Sequence, residues 1–280
     1  MQTTIVDEKQ TASTGKHLPK DVMTLEFNPT RKLAHFVIEL TNIPGALEHS
    51  AALATRHKVN ILSGFHHTSS ASERGFWSFF ADFTVATVDP KQLAEELKSL
   101  SFVLNVRFQV PLNGLLVDAF HFPLRWGGQR AIMLRTDSMG AILSRINGMF
   151  GDGPAAKVVL YEMGEAAGRA IYKDLAARIG KDMIRDELSQ VLALYASSGW
   201  GLTELLHIDY NMRTALVRMR ENFECVHYQG KSSMPRSSFV RGHLAGWFSE
   251  LFRIRAEVTE NRCVAKGDEF CDFAVEAGTV

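Results

Sequence analysis

The sequence has little of what marks several functional classes. Its 280 residues include only three cysteines. No apolar run reaches the roughly 18 residues that a membrane-crossing helix needs. Charge of one sign is also lacking, because 31 Lys and Arg balance 31 Asp and Glu. Binding to nucleic-acid phosphates is driven by counterion release and favours a basic surplus, so direct nucleic-acid binding is not expected. The densest basic group, Arg213, Arg218 and Arg220, has strand-like spacing and reads as a solvated face. There is no Gly-x-Gly-x-x-Gly, P-loop, nucleophile elbow or helix-turn-helix, which leaves no readable nicotinamide, flavin, ATP or DNA site. The start, Met1 to Asp21, lacks an apolar segment of signal-peptide type. A cytoplasmic protein is therefore expected, with reduced thiols serving as metal ligands or packing atoms.

What is present is globular. Hydrophobic residues at 46% and charged residues at 22% exclude a disordered or fibrous chain, and the length suits two domains. Residues 1–31 are polar and read as a flexible leader. From Leu33 a buried strand is expected to Leu40, then a turn at Asn42-Ile43-Pro44-Gly45 with Pro44 opening a helix striped by Leu47, Ala51, Leu53 and Ala54. Strand character returns at Lys58–Phe65, a polar turn follows at Ser69–Arg74, and Gly75–Val85 is an aromatic-rich strand. Pro90 begins a second helix with Leu93, Leu97 and Leu100 at helical spacing, and Phe102–Val110 alternates as a last strand. That order is the split βαβ arrangement, a four-stranded antiparallel sheet with both helices on one face. Its other face needs cover, from a partner copy or a second domain.

The motif Asn42-Ile43-Pro44-Gly45-Ala46-Leu47, followed by Val59-Asn60-Ile61, resembles the ACT domain over residues 32–110. The resemblance implies a ferredoxin-like βαββαβ fold. It also implies an amino-acid-type ligand near Asn42, Ile43, Pro44, Gly45, Ala46, Asn60 and Ile61, with a carboxylate held at the helix start. Asn42 stands where many amino-acid-binding members have Asp. A ligand-free dimerising module is the alternative.

Residues 111–117 read as a linker, and a mixed α/β pattern fills 118–280, making the whole chain α+β. Arg130–Arg135 is expected to be a strand, and Asp137 or Ser138 to cap a helix striped by Met139, Ile142, Leu143, Ile146, Met149 and Phe150. Gly151-Asp152-Gly153-Pro154 separates it from a helix through Leu175, and a third helix is expected over Asp182–Ser197. Strands at Gly201–Asp209 and Arg213–Val226, a helix at Ser237–Phe252 and a hairpin at Arg255–Val275 complete the unit. Two helices carry glycines four apart, Gly164 with Gly168 and Gly242 with Gly246, which points to close helix packing or approach to a ligand. Phe239, Trp247 and Phe248 lie beside the second pair, as core or as the lining of a dry pocket.

Three stretches resemble the 4-vinyl-reductase-like domain over 118–277. They are Tyr161–Gly168, Phe239–Gly246 and Glu260-x-x-Cys263-x-x-x-Gly267-Asp268-x-x-Cys271-x-Phe273. This family is related to phenol-sensing domains of transcription activators and to a transport-complex subunit that holds an acyl chain. The likeness to the phenol sensors implies structural zinc on Glu260, Cys263 and Cys271 with an earlier cysteine, whose position is Ser237 here. Serine is a poor zinc ligand, so Cys225 or His227 is needed to complete the set. Glu260 is three positions before Cys263, and a bulge must swing it to the cysteine side; a three-residue loop around Lys266-Gly267-Asp268 would set the cysteines opposite each other. Buried thiols without metal are the alternative. His35 and the His66-His67 pair lack matched thiol or carboxylate neighbours and read as ordinary surface or core residues.

Together these features favour a small-molecule-sensing regulatory protein, dimeric, signalling through a partner protein. Two readings rank behind it. One is an accessory protein or enzyme of tetrapyrrole vinyl reduction, for which no electron source is readable. The other is a structural subunit packing through its helices.

Overall fold

The computed structural model describes residues 17–68, 72–151 and 153–278, so most of the expected leader and part of the expected turn at Ser69–Arg74 lie outside the described residues. The chain divides into two compact units, Met1–Ala131 and Ile132–Val280.

In the N-terminal unit the main elements are β2 (Leu33–Thr41), α1 (Ala46–Arg56), β3 (Asn60–Thr68), β4 (Arg74–Asp82), α2 (Pro90–Lys98) and β5 (Val103–Gln109), preceded by β1 (Leu25–Phe27). The sheet order is β3-β4-β2-β5, antiparallel throughout. α2 starts where a capping box forms: the Asp89 carboxylate accepts from Gln92 N–H, and Gln92 returns the bond to Asp89 N–H. α1 starts later than expected. Gly45, left-handed at φ 87°, is its first boundary residue, which leaves Pro44 in the preceding turn. Alternation on β2 puts Phe36, Ile38 and Leu40 into a core with Phe79, Leu53, Leu93 and Leu97.

The opposite sheet face is covered from within the unit, not by a partner or the second domain. β1 pairs with β6 (Leu115–Val117), and Leu116 packs with Leu33, Phe80, Met23 and Leu62. The expected linker and the end of the expected leader are therefore a paired ribbon, and the division falls after Ala131 rather than at 111–117. A two-residue ribbon, β7 (Arg125–Trp126) with β8 (Gln129–Arg130), ends the unit. The strand expected at Arg130–Arg135 does not form beyond β8, and Ile132, Met133 and Leu134 are exposed.

The C-terminal unit runs α3 (Thr136–Met149), α4 (Pro154–Ile179), α5 (Lys181–Asp186), α6 (Leu188–Leu192), α7 (Leu194–Ser197), β9 (Leu202–Asp209), β10 (Thr214–Arg220), α8 (Ser238–Phe252), β11 (Ala256–Arg262) and β12 (Cys271–Ala277). Its sheet order is β11-β12-β10-β9, again antiparallel. α3 begins before Asp137, with no side-chain cap, and of its expected stripe Leu143 is fully buried while Ile142 and Met149 are exposed. The single helix expected at Asp182–Ser197 is three short ones. Tyr210 donates to the Arg185 carbonyl at 2.7 Å and Thr203 to that of Leu192 at 2.6 Å, taking acceptors that a continuous helix would use. Arg218 is a fork on Asp272, at 2.8 and 2.9 Å, and Arg220 pairs with Glu269 at 2.7 Å, so the basic strand is neutralised in place.

α4 and α8 pack with their glycine pairs in register. A β-carbon on Gly164 would meet the Phe239 carbonyl, on Gly168 that of His243, on Gly242 that of Tyr161 and on Gly246 that of Glu165, each well under 3.0 Å. The glycines serve helix packing. α8 in turn lies on the sheet, where Leu244, Phe248 and Val240 join Val217, Met219, Phe273 and Val275 in one core.

Candidate functional site

Hydrophobic alternation on β10 and β12 turns Met219 and Cys271, which are register partners, to the buried side of the sheet. β11 carries the expected irregularity: its register with β12 shifts between Glu260 and Arg262, which brings Glu260 round to the side of Cys263. The connection from Cys263 to Cys271 is longer than a three-residue loop. A 3₁₀ turn at Val264–Lys266 and left-handed Gly267 at φ 103° fold it back, and Asp268 accepts from Cys263 N–H at 2.8 Å.

Cys225, in the loop after β10, completes the group. One ligand atom from each of Cys225, Glu260, Cys263 and Cys271 lies within 4.8 Å of the others, and all four residues are buried. The Cys225 and Cys263 sulfurs are 3.5 Å apart. Zinc–sulfur bonds of about 2.3 Å place tetrahedral sulfurs about 3.8 Å apart, so this spacing fits a single ion. His227 is exposed and borders Gly140 instead. Ser237 stays inside the cluster as a bridging hydroxyl: it donates to Glu260 Oε1 at 2.7 Å, lies 2.9 Å from Cys225 Sγ and accepts from Asn222 Nδ2 at 2.8 Å. Val264 N–H at 3.4 Å and Asn222 Nδ2 at 3.5 Å both point at Cys271 Sγ, which favours a thiolate there.

The electrostatics of the protein atoms alone are unbalanced. Burial pushes the Glu260 carboxyl up to about 8, aided by the adjacent Cys263. The Cys225 thiol is also pushed up, first by its bond to Cys263, whose thiolate that bond favours. A dication would reverse both penalties, because it favours the ionised ligands. Three sulfurs and one carboxylate make a zinc-type donor set.

A second group lies on the other side of α8. His243 Nδ1 is 2.6 Å from the Tyr195 hydroxyl, and Nε2 has no hydrogen-bond partner. Both side chains are buried, with the Trp200 ring 4.8 Å from the imidazole centroid and Phe223 and Phe239 beyond it. Burial lowers the His243 pKa to about 4, so the ring is neutral near pH 7.

Of the aromatic residues expected at a ligand pocket, only Phe239 borders this pair. Trp247 packs edge-on against Tyr172 at 5.0 Å and Phe248 against Phe252 at 5.7 Å, as core. In the N-terminal unit, Asn42, Ile43 and Pro44 are exposed, Ala46 is buried, and Asn60 and Ile61 are exposed on β3. Asn42 Nδ2 is engaged with the Ser72 carbonyl at 2.9 Å. Sequence reasoning missed Tyr195, Asn222 and Glu224 entirely. Glu224 is a buried carboxylate that accepts from Phe239 N–H at 3.0 Å and Val240 N–H at 2.9 Å, capping α8 from a distant loop.

Residues 216–277 match the vinyl-4-reductase domain. The matched segment thus takes in most of β10, α8 and the hairpin that carries Glu260, Cys263 and Cys271. An uncharacterized protein of Methanocaldococcus jannaschii is 21% identical over 129 residues, 46% of this chain and 69% of that protein. The phenol-responsive sensory domain of the transcription activator PoxR, solved with phenol, is 21% identical, covering 54% of this chain and 79% of its own, at a TM-score of 0.47. A trafficking protein particle complex subunit 3 from Naegleria fowleri, covalently bound to palmitic acid, is 16% identical over 51% of this chain and 95% of its own, at a TM-score of 0.38. No described helix is long and apolar enough to cross a membrane.

Proposed function

We propose that this chain is a regulatory protein that senses small molecules, with an apolar or aromatic effector taken up by the C-terminal unit. The observation that carries this reading is the unpartnered, buried His243 Nε2 beside Tyr195, Trp200 and Phe239. One polar atom in an aromatic surround suits a compact apolar molecule bearing a single hydroxyl or carboxyl group. The match to the vinyl-4-reductase domain supports the same reading.

The Cys225, Glu260, Cys263 and Cys271 cluster is the candidate for structural zinc, which would tie the β11–β12 hairpin to the loop ahead of α8. The ion would supply charge balance and cross-linking rather than reactivity, because no donor position is left open to solvent. An amino-acid effector at the Asn42–Ala46 turn and α1 belongs to the same proposal, resting on the resemblance of that turn to ACT domains. Output would pass through a partner protein or a homodimer. Exposed Ile142 and Met149 on α3, Phe150 beside it, and Val158 and Met163 on α4 offer an apolar surface for either.

Phenol and palmitate are the probes for the effector. Titration of the full chain with each, followed by tryptophan fluorescence, is expected to give a saturable change with at least one of them. His243→Leu should weaken that binding by about tenfold, the value of one buried hydrogen bond. Absence of saturable binding by both, in folded protein, overturns the reading.

A further inference from the structure

The sheet face of the N-terminal unit that points away from α1 and α2 carries another group of metal-type donors. His35 on β2 is completely buried. Its Nε2 lies 2.9 Å from the Ser78 hydroxyl on the neighbouring strand β4, while its Nδ1 has no hydrogen-bond partner. Facing Nδ1 at 3.9 Å is Asp118 Oδ1. The His121 Nδ1 is in turn 2.9 Å from both Asp118 oxygens. One ligand atom from each of the three residues lies within 4.8 Å of the others. Phe80, Phe120 and Phe65 surround the imidazoles at centroid distances of 4.8, 5.1 and 5.0 Å.

The arrangement is well held. Asp118 N–H donates to the Thr24 carbonyl at 2.9 Å beside β1, and Asp118 Oδ1 accepts from Phe120 N–H at 3.0 Å and His121 N–H at 3.3 Å. Ser78 fixes the ring of His35, as an outer hydrogen-bond partner does for a ligating histidine.

As protein atoms alone, the pair His35–Asp118 is unsatisfied in either tautomer. With the proton on Nε2, a nitrogen lone pair faces a carboxylate oxygen, two acceptors together. With the proton on Nδ1, the N–H points at an oxygen beyond hydrogen-bond reach. A water bonded to both would hold them about 4.5 Å apart, wider than is found here. A tetrahedral ion with bonds of about 2.0–2.1 Å sets its ligand atoms about 3.3 Å apart, so each separation is within about half an ångström of that.

We propose that His35 Nδ1, Asp118 and His121 form a binding site for a divalent transition-metal ion of the zinc, cobalt or nickel class, with one coordination position open on the His121 side. Two imidazoles and a carboxylate, without thiolate, select that class over magnesium or calcium. Asp118 and His121 keep side-chain exposures of 13% and 29%, which gives an ion a route in and leaves room for a water or an exchangeable ligand. Binding displaces the proton shared by His121 and Asp118, so one proton is released. Burial lowers the His35 pKa to about 4, which keeps its ring neutral and available. The site lies within the N-terminal unit and is independent of the cysteine cluster.

The test is zinc stoichiometry of the full chain, by calorimetric titration of metal-stripped protein. Wild type is expected to bind one more equivalent than His121→Ala, whether or not the cysteine cluster also binds. Ser78→Ala should keep that equivalent and weaken it about 10–100-fold. With cobalt, the additional equivalent should show weak d–d bands without sulfur charge-transfer absorption. In wild type, which needs no variant to fold, the imidazole NMR signals of His35 and His121 should shift as zinc is added. Equal stoichiometry in wild type and His121→Ala, a thiolate signature on the extra equivalent, or unmoved imidazole signals overturns the site.

Discussion

A histidine's surroundings decide what it contributes, and His243 shows this most directly. In an unfolded chain its imidazole takes up a proton near its ordinary pKa of 6.5, whereas in the folded unit burial delays this to about 4. Between those values the unfolded state binds more protons. Stability is therefore full above pH 6.5 and falls as pH drops towards 4, by about 3 kcal/mol for this one group. Urea unfolding from pH 7.5 to 4.5 should show that loss in wild type and a correspondingly flatter profile in His243→Asn. Parallel profiles would contradict it. The metal-type residues are legible in the sequence to different degrees. Glu260, Cys263 and Cys271 can be read from spacing, even to the bulge that Glu260 requires. Choosing Cys225 over His227 cannot, because the choice depends on how the loop between β10 and α8 returns to the hairpin. His35 reads as an ordinary histidine because its partner, Asp118, lies far downstream on a segment that looks like the start of a different domain.

At the scale of elements, the crossing of α4 and α8 rests on four glycines whose neighbours are carbonyl oxygens rather than movable side-chain ends. Gly168→Ala or Gly242→Ala should therefore push the helices apart and cost about 3 kcal/mol or more, as overpacking against backbone does. Gly148→Ala on α3 is the control, since its β-carbon would meet nothing within 4 Å. There the higher helix propensity of alanine should stabilise by about 0.5 kcal/mol. Thermal melts of the three variants separate close packing from generic helix propensity, and equal shifts would refute the packing account. The periodic signals behind these helices are readable from sequence, as are α2 with its Pro90 start and the order of strands in both units. Less readable are the breaks between α5, α6 and α7. They arise where Tyr210 and Thr203, from after those helices in sequence, take over helix carbonyls. The cap that Glu224 places on α8 is hidden for the same reason.

At the scale of the molecule, each unit has its own core. The proposed zinc joins segments of the C-terminal unit only. Stripping metal with a chelator should therefore lower the unfolding temperature of the C-terminal unit, as measured by calorimetry, by several degrees. Cys225→Ser should reproduce the loss, and adding Ser237→Cys should restore it, because that side chain already sits 2.9 Å from Cys225 Sγ within the cluster. A melt insensitive to chelator in wild type would argue for thiols that merely pack. Composition and periodicity by themselves determined that this is a two-part globular α+β chain, with paired glycines for packing and a Glu-x-x-Cys-x7-Cys hairpin for ligation. These are local patterns, and local patterns dictate local geometry. Which residues complete each site was decided only by the tertiary structure. Cys225 reaches the hairpin, Tyr195 reaches His243, and Asp118 with His121 reaches His35, each through chain segments that meet only once the sheets and their coverings have formed.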